Sequence, residues 1–132
     1  MRDFISIAKP TVGDEEIEAV GEVLRSGMLT QGEKVRLFEE EFSDYLGVEH
    51  SIAVSNGTIA LDLALKGLGI SPGDEVISPA FTFIATANAV LYQGSRPVFV
   101  DVNPRTFNID PDDLSEKITA KTKAVIAVHL YG

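Results

Sequence analysis

The chain has no cysteine, so disulfides and thiolate metal sites are excluded. Basic residues are scarce, 11 Lys and Arg against 20 Asp and Glu, and the net charge of −9 argues against a binder of the nucleic-acid backbone. No stretch approaches membrane-spanning length, and the segment Met1 to Pro10 has no apolar run of the signal-peptide kind. Internal repeats and low-complexity segments are absent. No Gly-x-Gly-x-x-Gly follows a β-prone run, which argues against a dinucleotide site, and no Gly-Lys-Ser/Thr phosphate loop occurs. His50 and His129 lack metal-like spacing, so no metal site is expected. Together these absences lead to the expectation of a soluble, cytoplasmic protein with neither nucleic acid nor membrane as partner.

What is present is globular in character. The 132 residues are 45% hydrophobic and 23% charged, enough for a real core. Residues 1–50 hold 12 of the 20 acidic residues but 5 of the 11 basic ones, an excess that a solvated helix face explains. After an extended start ending at Pro10, Asp14 is expected to cap a helix to about Ser26, with Ile17, Val20 and Leu24 inward and Gly27 as the stop. A second helix is expected from 33, its apolar stripe formed by Val35, Phe38, Phe42 and Tyr45 or Leu46, ending at Gly47. From residue 51 the pattern alternates. Strands are expected at 51–54, 75–78, 97–102 and 123–129, and helices at 57–69, 82–92 and 111–118. Apolar strands separated by helices predict an α/β protein with a mainly parallel sheet covered on both faces. The chain stops just past a strand with no closing helix, so it is expected to be the N-terminal piece of a longer protein.

Two segments carry chemistry. Ser51-Ile-Ala-Val-Ser-Asn-Gly-Thr-Ile-Ala-Leu-Asp62 reads as a strand breaking sharply into a helix. Such a turn aims unpaired backbone N–H groups and a helix dipole at whatever lies beyond, which suits a phosphate; an ordinary βα turn would use the same small residues. Ser78-Pro-Ala-Phe-Thr-Phe-Ile-Ala-Thr-Ala-Asn88 follows the next strand. In a parallel sheet both loops open on the carboxyl edge, so Phe81 and Phe83 arrive where the phosphate donors are. A flat aromatic ligand bearing a phosphate would meet both needs. Core packing is the competing role for both rings, and Phe81 is expected in the core. Asp101 and Asp110 suit turn or cap duty.

With these motifs in place, the chain resembles the N-terminal third of the DegT-type (DegT/StrS-like) sugar aminotransferases, fold type I enzymes that use pyridoxal 5′-phosphate. The resemblance runs in order through Lys9-Pro10, Ser26-Gly-Met-Leu-Thr-Gln-Gly32, Ala53-Val-Ser-Asn-Gly-Thr58 and Gly69-Ile-Ser-Pro-Gly-Asp-Glu-Val76. It continues through Phe81-Thr-Phe-Ile-Ala-Thr-Ala-Asn88, Pro97-Val-Phe-Val-Asp-Val102, Asn108-Ile-Asp110 and Val128-His-Leu-Tyr-Gly132. It implies that 1–32 are an N-terminal extended segment and helix, and 33–132 the first part of the large cofactor domain. It further implies that Gly57, Thr58 and the Ile59 amide hold the cofactor phosphate, that Phe83 stacks on the pyridine ring, and that Met28 and Thr30 touch substrate. The implied reaction moves an amino group from glutamate or glutamine to a keto-sugar, usually nucleotide-linked, in amino-sugar or polysaccharide biosynthesis. A homodimer is the implied assembly.

The family's Schiff-base lysine, its pyridine-nitrogen aspartate and a phosphate-bonding serine would all lie beyond residue 132. Lys9, Lys34, Lys66, Lys117, Lys121 and Lys123 match none of them and read as surface residues, so the 132 residues alone are expected to be inactive. Two alternatives stay open. One is a sugar dehydratase of the same superfamily, in which His replaces the Schiff-base lysine. The other is a non-catalytic module whose Ser-Asn-Gly-Thr turn caps a phosphate ligand.

Overall fold

Gly27 and Gly47 close the first two helices with left-handed backbones, φ 71° and 67°, a geometry that a Cβ would oppose. The computed structural model describes residues 8–130. Residues 1–7 of the extended start expected to end at Pro10, and the final Tyr131-Gly132, lie outside the described residues. Two compact units divide between Ala53 and Val54. Among the described residues, no helix is long and apolar enough to cross a membrane.

The first unit holds α1 (Asp14–Ser26) and α2 (Glu33–Leu46). Gly13, not Asp14, is the N-cap of α1, and its N–H donates to the Glu16 carboxylate at 2.7 Å. Asp14 instead opens the helix, adding negative charge to a first turn that already carries Glu15 and Glu16, where the dipole favours it. The cap hydrogen bond holds the Glu16 carboxyl below the usual carboxylate range. The apolar residues of each helix recur at helical spacing, but the inward placement expected for Ile17, Val20 and Leu24 is not found: they, Phe38 and Phe42 are all exposed, because little among the described residues covers them.

The second unit is built on a three-stranded parallel sheet, order β2-β1-β3, formed by β1 (Glu75–Pro79), β2 (Arg96–Val100) and β3 (Thr122–Val125). The helices are α3 (Gly57–Gly67), α4 (Ala85–Tyr92) and α5 (Pro111–Lys117). Central β1 is buried along its whole length, whereas β2 and β3 are only half covered among the described residues. Leu65 of α3, Val76 of β1, and Ala89 and Val90 of α4 share one apolar cluster with Ile70. Ser71-Pro-Gly-Asp74 turns the chain into β1 as expected, the Ser71 hydroxyl and N–H both donating to the Asp74 carboxylate. At the amino end of β1, the buried Glu75 carboxylate accepts from Arg96 and from the Thr119 hydroxyl.

Four element boundaries or assignments are corrected. Residues 51–54 form no strand. β-prone residues become a strand only with a ladder partner, and the Ala53 N–H donates to the Glu39 carboxylate at 2.7 Å instead. α4 starts at Ala85 rather than 82, because the preceding residues turn: Thr82 N–H donates to the Ala80 carbonyl. The last strand stops at Val125, with a single further bond from Ile126 N–H to the Ile77 carbonyl, and β2 stops at Val100, where Val102 pairs antiparallel with Ile109.

Candidate functional site

α3 begins at Gly57 because Asn56 caps it: Asn56 Oδ1 accepts from the Ile59 N–H at 3.0 Å. Of the three amide-bearing residues expected at a phosphate, Ile59 therefore has its N–H engaged by the chain itself. The Gly57 and Thr58 N–H groups, at helix positions with no intrahelical acceptor, have no partner among the described residues, nor has the Thr58 hydroxyl. The missing side chain at Gly57 is not explained by the fold. Its backbone is not left-handed, and a Cβ there would meet no heavy atom within 4 Å. Room at the Cβ position of Gly57, beside two unpaired donors, fits an anion that approaches the backbone closely.

Leu65, late in α3, packs with Val76 near the start of β1 and with Val90 near the end of α4. α3 thus runs beside α4, and its first turn faces the carboxyl edge of the sheet, where the loop after β1 emerges. Phe83 sits in that loop and is 73% exposed. Phe81 departs from expectation: it is 49% exposed, so it is not a core residue, and its ring packs on Phe107 with centroids 5.8 Å apart. It leaves the core because residues 80–84 swing off the strand before α4 forms. The Ser78 hydroxyl is fully buried and has no hydrogen-bond partner among the described residues. By strand alternation it shares a face with Val76, the face covered by α3 and α4.

Met28 and Thr30 lie in the first unit, where with Glu22, Val23, Ser26 and Val35 they line a pocket of about 300 Å³. The lysines behave as surface residues: Lys34 pairs with Glu22 and Lys117 with Asp113, while Lys121 sits beside the amino end of β1, its carbonyl accepting from Glu75 N–H. Asp110 caps α5, accepting from Asp112 N–H at 2.9 Å. Sequence reasoning missed the cap at Asn56, although its three-residue spacing to Ile59 is the ordinary signal. It also missed Phe107, for which a loop reading gives no signal.

Residues 10–132 match the DegT/DnrJ/EryC1/StrS aminotransferase family. The chain belongs to this family. It is 48% identical over 129 residues to the spore coat polysaccharide biosynthesis protein SpsC of Bacillus subtilis (strain 168), covering 98% of this chain and 33% of that protein. The GDP-perosamine synthase of Caulobacter vibrioides is 50% identical over 129 residues, covering 97% of this chain and 35% of the synthase. Among solved structures, Spr1654 of Streptococcus pneumoniae, assigned as a sugar aminotransferase and solved in its PMP-form, superposes with a TM-score of 0.90 at 39% identity, over 96% of this chain and 32% of that one. The chain therefore spans about a third of the length of these DegT/DnrJ/EryC1/StrS relatives.

Proposed function

We propose that this chain is the first part of the cofactor domain of a pyridoxal-phosphate-dependent sugar aminotransferase. The reaction would pass an amino group from glutamate or glutamine to a keto-sugar, nucleotide-linked, for amino-sugar or polysaccharide synthesis. The observation that carries the reading is the head of α3: two unpaired N–H groups, an unpartnered Thr58 hydroxyl and room at the Cβ position of Gly57. Family membership supports it, as does the PMP-form of a close structural neighbour.

In this reading Gly57 and Thr58 donate backbone N–H groups to the cofactor phosphate, and the Thr58 hydroxyl donates a third bond. Phe83 lays its exposed ring on the cofactor's flat face. When bound, the cofactor supplies an electron sink for the carbanion at the amino-bearing carbon. Met28 and Thr30 would contact substrate, residues 33–132 would open the large domain, and the working form would be a cytoplasmic homodimer.

The test uses the protein expressed from its complete coding sequence, supplied with pyridoxal phosphate, a nucleotide-linked keto-sugar and amine-labelled glutamate or glutamine. Mass spectrometry should find the label on the sugar. A cofactor-loaded protein that dehydrates the sugar without taking up label would replace this reading with the dehydratase one.

Phe83→Ala is expected to weaken cofactor binding and shift the cofactor's absorption band. Phe81→Ala should cost about 1–2 kcal/mol of stability, below the range for a fully buried ring because half of Phe81 is already in water. Denaturant midpoints and cofactor titrations of both variants check this, and reversed effects would move the stacking role to Phe81.

A further inference from the structure

Phe107 is the one residue other than glycine with a left-handed backbone among the described residues, φ 56°. A large side chain is disfavoured there by its own Cβ, and glycine or asparagine would make the same turn more readily. The loop nevertheless over-determines this conformation. Phe107 N–H donates to the Asn103 carbonyl at 2.8 Å, and Asn103 N–H donates to the Asn108 carbonyl at 2.9 Å. Asn103 Oδ1 accepts from the N–H groups of Arg105 and Thr106. The loop is closed at its base by the Val102–Ile109 bridge and by Asp110 N–H on the Asp101 carbonyl. Below that, Asp101 N–H donates to Asp113, whose carboxyl Lys117 and then this N–H hold below the usual range.

What this framework delivers is a ring against Phe81, tilted by 52° with centroids 5.8 Å apart. Phe81 opens the segment that ends on Phe83. Ala80 N–H is fastened to the Val100 carbonyl, and the Thr82 hydroxyl to that of buried Thr86 at 3.0 Å. The Phe83 ring has no ring partner among the described residues and is largely in solvent, so its direction is set by the backbone of 80–84. Thr82 N–H on the Ala80 carbonyl, Thr86 N–H on the Phe83 carbonyl and Asn88 N–H on the Ile84 carbonyl also hold that backbone, and the Phe81–Phe107 contact is its one ring-to-ring fastening among the described residues.

We infer that Phe107 is a positioning residue, whose ring, presented from a left-handed backbone, braces Phe81 and so aims Phe83 at the flat ring of the bound cofactor. The inference rests on the cofactor reading proposed above. A residue needed only for the turn would be replaced by glycine at no loss, which makes glycine the informative substitution.

The experiment compares wild type, Phe107→Gly, Phe107→Tyr, Phe83→Ala and Phe107→Gly with Phe83→Ala, each in the protein expressed from its complete coding sequence. Phe107→Gly relieves the backbone while losing the ring contact, so the two effects offset and the melting temperature should change by no more than a few degrees, while pyridoxal phosphate affinity falls about three- to tenfold, the worth of one aromatic pair. Phe107→Tyr should keep wild-type affinity. The double variant should bind no worse than Phe83→Ala alone, because both substitutions remove one arrangement. Hydrogen exchange in the cofactor-free protein gives an independent readout: the Thr82 and Thr86 amides should exchange faster in Phe107→Gly and not in Phe107→Tyr. Unchanged exchange at those amides, or additive losses of affinity, would overturn the inference. Faster exchange in a protein that binds no pyridoxal phosphate would keep the brace and sink the cofactor reading instead.

Discussion

Gly57→Val is expected to lower pyridoxal phosphate affinity by about a hundredfold or more, since it blocks two donors to a charged group at roughly 1.5–3 kcal/mol each. The fold should scarcely notice. A Cβ at 57 meets no heavy atom within 4 Å, and the helix-propensity difference at one terminal residue is below about 1 kcal/mol. Melting temperature without cofactor should therefore move by no more than a few degrees. Thr58→Val is the milder companion, costing about 1–3 kcal/mol of cofactor binding through one lost hydroxyl bond. Titration of both variants alongside thermal melts separates the outcomes. Wild-type affinity in Gly57→Val would remove the head of α3 from the site.

The opposite pattern is expected eight residues along the same helix. Leu65→Ala should cost about 2–5 kcal/mol, because Leu65 is 3% exposed and fills the cluster of Val76, Ala89, Val90 and Ile70. The loss would show as a lower denaturant midpoint with an unchanged slope. Cofactor at about 100 times its Kd should restore about 2.7 kcal/mol by mass action, provided the surviving native state keeps its phosphate site. A cost below about 1 kcal/mol would mean that α3 and α4 are held on β1 by something other than this cluster. On one helix, then, the first residue is expected to govern the ligand and the ninth the fold.

Helices were more legible in the sequence than strands, for a physical reason visible in particular residues. α1 and α2 announce themselves through three- and four-residue apolar spacing and through Gly27 and Gly47, all of it local information. A strand exists only with its neighbour. Ile52 to Val54 have strand-like side chains but no ladder, and Lys-Ala-Val-Ile-Ala-Val-His129 is strand only to Val125. At the candidate site, turn chemistry points to Gly57 and Thr58, the family resemblance selects Phe83, and the cofactor role of all three is the one proposed above. The Asn56 cap on Ile59 and the Phe107 brace depend on where atoms fall in space. Phe81 was misplaced for the same reason, since no local pattern separates a buried ring from one resting on a distant loop.

Because Asn56 Oδ1 already holds the Ile59 N–H, the head of α3 is shaped before anything arrives. A phosphate ester bound there, as proposed, would meet donors already set by the helix, and little ordering entropy would be forfeited on contact. Capture at such a preformed turn is governed by encounter, not by rearrangement. Differences in affinity among ligands, or among variants at 57 and 58, then fall mainly on the rate of release. At the proposed phosphate site, the cap would turn a question of how tightly the chain holds the ligand into one of how long it keeps it.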